Sequence, residues 1–352
     1  MFKNIIICCD GTGNQFGEEN SNVVKLFSIL DRQAKDQVAF YAPGVGTMSD
    51  PGLNVPFSKR ISIAIGLTFG YGLSKNIHDT YSFLMENYDE GDGVYLFGFS
   101  RGAFTVKALA GFMHMNGLLP KGCQNLIPYS WRLFQRKDFE LSSRFKHNYA
   151  RPVTIHFMGV WDAVSSIGWI TRRKTFPYTF YNPSVAITRH AVSIDERRAY
   201  YEANLFDETE RVKDIKQVWF AGVHSDVGGS YAEAECGLSK ITLLWMIEEA
   251  VKHGLKINEE RFKKVVLGEG KSNYVGPDSL AMIHNSLHTF WWILELLPKN
   301  EILNRQKFKF NLGKRRLIPE NAIIHNSALM RIQQSDYKPS NLPKIYQVEG
   351  AM

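Results

Sequence analysis

Short apolar runs alternate with helically spaced segments along this chain. Residues 4–9 (NIIICC) are continuously apolar up to Asp10-Gly11-Thr12-Gly13-Asn14, which predicts a buried strand delivering a glycine-rich loop. Residues 22–30 have amphipathic spacing and predict a short helix; 37–41 predict a second strand, ending in Pro43-Gly44-Val45-Gly46. Residues 58–72 are apolar and punctuated by glycine, but Gly70 and Gly72 do not complete a phosphate-binding GxGxxG. They read as a packing segment before a helix over 75–88, where Ile77, Tyr81, Leu84, Met85 and Tyr88 form one stripe. After the turn signal at 89–93 come an apolar run, 94–99, and a helix over 103–115 with apolar residues at Phe104, Ala108, Leu109, Phe112 and Met113, stopped by Gly117. Further strands are predicted at 153–160 and 215–221. The alternation argues a mostly parallel central sheet with helices on both faces.

The residues able to do chemistry fall where predicted strands end. Gly98-Phe99-Ser100-Arg101-Gly102 is GxSxG between a strand and a helix, the context that makes Ser100 a candidate nucleophile on a strained turn. The strand over 153–160 ends in Trp161-Asp162-Ala163-Val164, where a triad acid belongs, although an aspartate there also serves as a cap. The strand over 215–221 opens into Gly222-Val223-His224-Ser225-Asp226, putting His224 within reach as base. The order Ser100, Asp162, His224 is that of α/β-hydrolases, so the expected class is α/β-hydrolase-like with helical and loop insertions. A competing assignment pairs Asp226 with His284 or His325, and spacing admits both.

The first glycine-rich loop offers the N–H of Gly11 or Thr12 to an oxyanion hole completed by the N–H of Arg101, with Asp10 in support. The alternative is a tight turn around a satisfied aspartate. A haloacid-dehalogenase-type start would need a nucleophilic aspartate where Cys8 stands.

Composition narrows the classes. At 352 residues and 44% hydrophobic the chain fits one α/β domain over 1–352, with lid or cap insertions at 118–150 and 165–213 and a C-terminal region, 271–352, that completes or covers it. Cys8, Cys9, Cys123 and Cys236 show no CxxC spacing, so neither a disulfide framework nor a metal site is expected. The apolar start at 2–9 is too short for a signal-peptide core, and 61–73 is too short to span a bilayer. A cytoplasmic protein is the expectation, with contact-dependent export compatible with it. The net charge of +7 permits an anionic partner, and no nucleic-acid motif accompanies it. Oligomeric state is not legible.

Within the second insertion, Trp169, Ile170, Arg172, Arg173, Lys174, Phe176, Tyr178, Phe180 and Tyr181 interleave rings and cations, which suits peripheral contact with anionic lipid; a solvated basic loop is the alternative. Asp195-Glu196-Arg197-Arg198, in a helical context, reads as intrahelical and neighbouring ion pairing with a structural role. Residues 286–298 (SLHTFWWILELLP) read as a core helix or lid, with an interfacial anchor as the alternative.

The segments CDGTGN, YLFGFSRGAFTVKALAG, GVWDAVSSIG, HAVSIDERR, WFAGVHSDVGGSY and the late His325-Asn326-Ser327 with Arg331 resemble the landmarks of a bacterial and fungal α/β-hydrolase family. That family includes the type VI secretion phospholipase effectors of the first lipase-effector group. The resemblance runs from about residue 3 to 335 and implies a Ser100–Asp162–His224 triad. Effectors of this kind usually carry further C-terminal membrane-associating regions, whereas this sequence ends soon after the last shared motif. The function expected is cleavage of carboxylic esters, lipid or phospholipid, through an acyl-enzyme, with no cofactor required. A small-molecule esterase or thioesterase and a non-catalytic membrane- or partner-binding protein are the alternatives.

Overall fold

The computed structural model describes residues 2–11, 14, 16–44, 57–164, 175–208, 214–270, 273–288, 291–292, 295, 299–300 and 308–350, with 57–71, 299–300 and 308–309 described by backbone alone. Strand β1 (Asn4–Cys9) shows why the sheet has two covered faces. Ile5, Ile7 and Cys9 enter one core while Ile6 and Cys8 enter the other, so a continuous apolar run is what a strand buried on both sides needs. β1 pairs in parallel with β2 (Gln37–Ala42) and with β3 (Gly93–Phe99). Beyond β3 lie β4 (Ile155–Trp161), β5 (Val185–Ser193) and β6 (Asp214–Phe220). After a small antiparallel pair, β7 (Lys299–Asn300) and β8 (Phe308–Lys309), the chain adds β9 (Ile323–His325) and β10 (Gln347–Glu349) to the main sheet. Its order is β10-β9-β6-β5-β4-β3-β1-β2, parallel throughout.

One face is covered by α1 (Asn22–Ile29), α7 (Gly237–Lys252) and α8 (Glu259–Val265). The other is covered by α2 (Phe57–Asn87) and α3 (Arg101–Asn116), with α4 (Ile127–Arg136) and α5 (Phe139–Tyr149) outside α3. Buried almost all round, α3 lies between the sheet and these outer helices. Phe112 packs on Trp131 and Phe134, and Phe134 stacks on Phe176 at 5.4 Å.

Three expectations change. Residues 58–72 belong to α2, whose backbone runs as one helix through glycines that read as interruptions in the sequence. The segment 165–213 is not a cap throughout, since 185–193 form β5 between β4 and β6. Its polar centre hid it: Thr188, Arg189 and His190 are buried there, and the two longer side chains meet partners that the local pattern does not display. Asp195 to Arg198 form a turn and loop after β5, not a helix.

From β1 the chain moves outward to β2 and then crosses back to β3, so the loops after β1 and β3 flank a crevice at the carboxyl edge of the sheet. Open α/β sheets present ligand sites at such a reversal of strand order.

Candidate active site

The turn after β3 is built on close approach. A Cβ on Gly98 would lie 2.6 Å from the Gly102 carbonyl oxygen, and one on Gly102 would lie 2.1 Å from that of Cys9. Only glycine at both places lets α3 start directly behind β1. Between them Ser100 takes φ 57°, ψ −119°, a strained conformation for an L residue, at the positive end of the α3 dipole.

Asp162, one residue past β4, also has a positive φ, 39°, and is completely buried. His224 opens α6 (His224–Gly228), the short helix after β6. The three side chains meet: Ser100 Oγ is 2.8 Å from His224 Nε2, and His224 Nδ1 is 2.5 Å from Asp162 Oδ2. With Nδ1–H donating to the carboxylate, Nε2 is left to accept the serine proton. Phe99 and Tyr201 contact the imidazole, each at 4.7 Å between ring centres. Burial draws the pKa of His224 below its ordinary value against the pull of Asp162. Burial alone would raise Asp162, but the Arg316 guanidinium and His224 outweigh it and hold the carboxyl well below the usual range.

Arg316 went unnoticed in the sequence. Nη1 donates to Asp162 Oδ1 at 2.6 Å and Nη2 to Oδ2 at 3.0 Å, a fork spanning the carboxylate. Glu196, fully buried, does more than pair with its neighbour: Oε2 accepts the backbone N–H of His224 at 3.2 Å, and Oε1 accepts Ser286 Oγ at 3.0 Å. It also pairs with Arg198, whose guanidinium lies 3.5 Å over the Tyr201 ring; burial would raise its pKa, but Arg198 and, more weakly, Arg316 hold it at about 2. No local signal marks their role at the site, because the bonds that tie Arg316 to Asp162 and Glu196 to His224 join residues distant in sequence.

The other candidates separate. Asp10 accepts hydrogen bonds from Ser21 Oγ and Tyr41 OH, both 2.8 Å, and from the Gly11 N–H at 2.7 Å. That last bond corrects the expected oxyanion role of Gly11, whose N–H is turned into its own loop. The loop also packs closely on the nucleophile, since a Cβ at Gly11 would sit 3.3 Å from Ser100 Cβ. Thr12 lies outside the described residues, as do 165–174 with Trp169, Ile170, Arg172, Arg173 and Lys174. Asp226 does pair with His284, Oδ1 to Nδ1 at 2.6 Å, but His284 Nε2 faces Glu235 at 3.2 Å, so both ring nitrogens are engaged away from Ser100. His325 stacks on Phe220 at 4.6 Å and bonds Ser327. Of the stretch 286–298, Trp291 contacts Tyr201 at 5.4 Å between ring centres, Trp292 is exposed, and buried Glu295 accepts the Ala199 N–H; the rest is partly outside the described residues.

Comparison with known proteins gives one relative in yeast. The uncharacterised protein YEL023C of Saccharomyces cerevisiae is 24% identical over 552 aligned positions, 97% of this chain and 81% of that protein. Among solved structures, an uncharacterised protein from Pseudomonas aeruginosa aligns over 73% of this chain and 47% of its own, at 17% identity and a TM-score of 0.45. The Tle1 effector bound to the VgrG spike of a type 6 secretion system aligns over 67% and 52%, at 19% identity and a TM-score of 0.41. This chain thus spans about half the length of the solved structures it matches. The family model described as T6SS, phospholipase effector Tle1-like, catalytic domain matches residues 3–249, which contain Ser100, Asp162 and His224 and stop short of Arg316, and the chain belongs to that family.

Proposed function

We propose that this chain is a serine hydrolase that cleaves acyl esters of lipids, phospholipids above all, through an acyl-enzyme on Ser100. The observation that carries this reading is the Ser100–His224–Asp162 chain of hydrogen bonds at 2.8 and 2.5 Å, with the serine on a strained turn. His224 Nε2 takes the hydroxyl proton as Oγ attacks the ester carbonyl, and the imidazolium formed is stabilised by Asp162. The N–H of Arg101 at the head of α3 and that of Thr12 are the oxyanion donors in this reading, each contributing roughly 3 kcal/mol to the transition state. The intermediate collapses as His224 returns the proton to the leaving alcohol. Water then attacks the acyl-serine, giving its proton to His224, which reprotonates Oγ as the acid leaves.

The test is turnover of an ester series from short soluble esters to phospholipid vesicles. Ser100→Ala and His224→Ala are expected to lose about 10³-fold or more, and Asp162→Asn roughly 10²- to 10⁴-fold. Wild-type turnover retained by His224→Ala would remove the base assignment, and no hydrolysis of any ester by wild type would remove the reading. The alternative outcome of the same series is an esterase for small soluble substrates. Turnover confined to short esters would select it.

A further inference from the structure

Asp162 carries two burdens in the reading above. It must stay ionised where no water reaches it, and it must hold one rotation so that Oδ2 faces His224 Nδ1. Burial opposes the first, because a carboxylate removed from water favours its neutral form. The second is not secured by the backbone either, since Asp162 sits at the end of a strand with a positive φ.

Arg316 meets both demands. Its Nη1 and Nη2 span the two carboxylate oxygens, and Ser193 N–H adds a further donor to Oδ1 at 2.9 Å. The guanidinium is itself fixed: Nε donates to the Tyr201 carbonyl at 2.9 Å, Nη1 also reaches Ser193 Oγ at 2.7 Å, and Nη2 also reaches the Tyr201 carbonyl. Only 8% of its side chain is exposed. A buried arginine with this many donors placed is a rigid fork, and lysine has no equivalent geometry.

We propose that Arg316, beyond the 3–249 segment that matches the family model, is a positioning residue for the triad: it clamps Asp162 in the ionised, His224-facing orientation and balances its charge. The inference rests on the triad reading. His224 is faced by Asp162 and Ser100, by Glu196 through its backbone N–H, by the Tyr201 ring and by the positive charge of Arg198. Asp162 is faced by His224, Arg316 and neutral His190, whose Nε2 accepts the Ala163 N–H. Lys107, bonded to Asn204, acts on His190 from α3. Within this set, deleting Arg316 leaves Asp162 as an uncompensated negative charge against the imidazole. The imidazolium is then favoured, so the neutral base is available only at higher pH.

The experiment is the pH dependence of kcat/KM on a soluble short-chain ester for wild type, Arg316→Gln, Arg316→Lys, Asp162→Asn and the double variant Arg316→Gln/Asp162→Asn, each checked by its thermal midpoint. Arg316→Gln is expected to lower kcat roughly 10- to 100-fold with KM little changed, as a displaced catalytic group does. Its acidic limb is expected to move up by about half a pH unit or more. Arg316→Lys should restore the limb but only part of kcat, and it carries the test if Arg316→Gln fails to fold. On the Asp162→Asn background, Arg316→Gln should cost little more, which a merely structural role would not produce. An unmoved limb with wild-type kcat, or an equal loss on both backgrounds, overturns the proposal. Asp162→Asn with wild-type turnover would overturn the triad reading itself, and this one with it.

Discussion

Ser100 and Asp162 share a backbone property rare outside glycine, a φ in the left-handed half of the map, each costing about 1–3 kcal/mol that the surrounding fold must offset. The offset at Ser100 is visible in Gly98 and Gly102, which let three stretches of backbone touch. Gly102→Ala is therefore expected to cost about 3 kcal/mol or more, because the added methyl meets backbone atoms that cannot rotate away. A urea midpoint within error of wild type would refute this. That Ser100, Asp162 and His224 come together was legible because each closes or follows an apolar run, and parallel strands bring their carboxyl ends to one edge. Arg316 and Glu196 were not legible. Their surroundings, LGKRRL and DERR, show only charge, and the bonds that define them reach across 154 and 28 residues.

Among elements, β5 makes the same point for the fold. β1, β2, β3, β4 and β6 were readable from their apolar runs; the three-residue β9 and β10 were not predicted, and neither was β5, which carries Arg189 and His190 at its middle. Arg189 pairs with Glu249 of α7 at 2.5 Å and with Asp214 of β6 at 2.7 Å, while His190 Nδ1 lies 3.0 Å from Gln217 of β6. Burying a lone cation would exclude a strand, but burying one whose counter-charges come from the next strand and the covering helix does not. Arg189→Ala, which leaves the buried Glu249 carboxylate only Lys252 at 2.8 Å and Lys216 at 4.0 Å, is expected to destabilise by about 2 kcal/mol, whereas Arg189→Met/Glu249→Leu should recover most of that. Equilibrium urea unfolding of the two variants decides it, and equal losses would show that the ion pair is not the issue.

At the scale of the whole molecule, buried histidines set a pH range. Burial, reinforced by Lys107, lowers His190 to about 3, and burial lowers His325 to about 4. Both stay neutral in the folded protein while the unfolded chain takes up protons below its ordinary histidine pKa of about 6.5. Their contribution is thus complete above about pH 6.5 and lost as pH falls, His190 alone accounting for about 1.4 kcal/mol per unit below pH 6. The thermal midpoint should drop between pH 7 and pH 5, and His325→Asn, which keeps a helix cap, should flatten the drop; a midpoint independent of pH would contradict it. The order of the chain adds a matter of timing. A polypeptide leaving the ribosome presents Ser100, Asp162 and His224 well before Arg316, so the charge arrangement around the aspartate closes only after residue 316 has emerged. On the proposed reading, the three triad residues would be brought together before their clamp, and the site would gain its full charge balance only once Arg316 is in place.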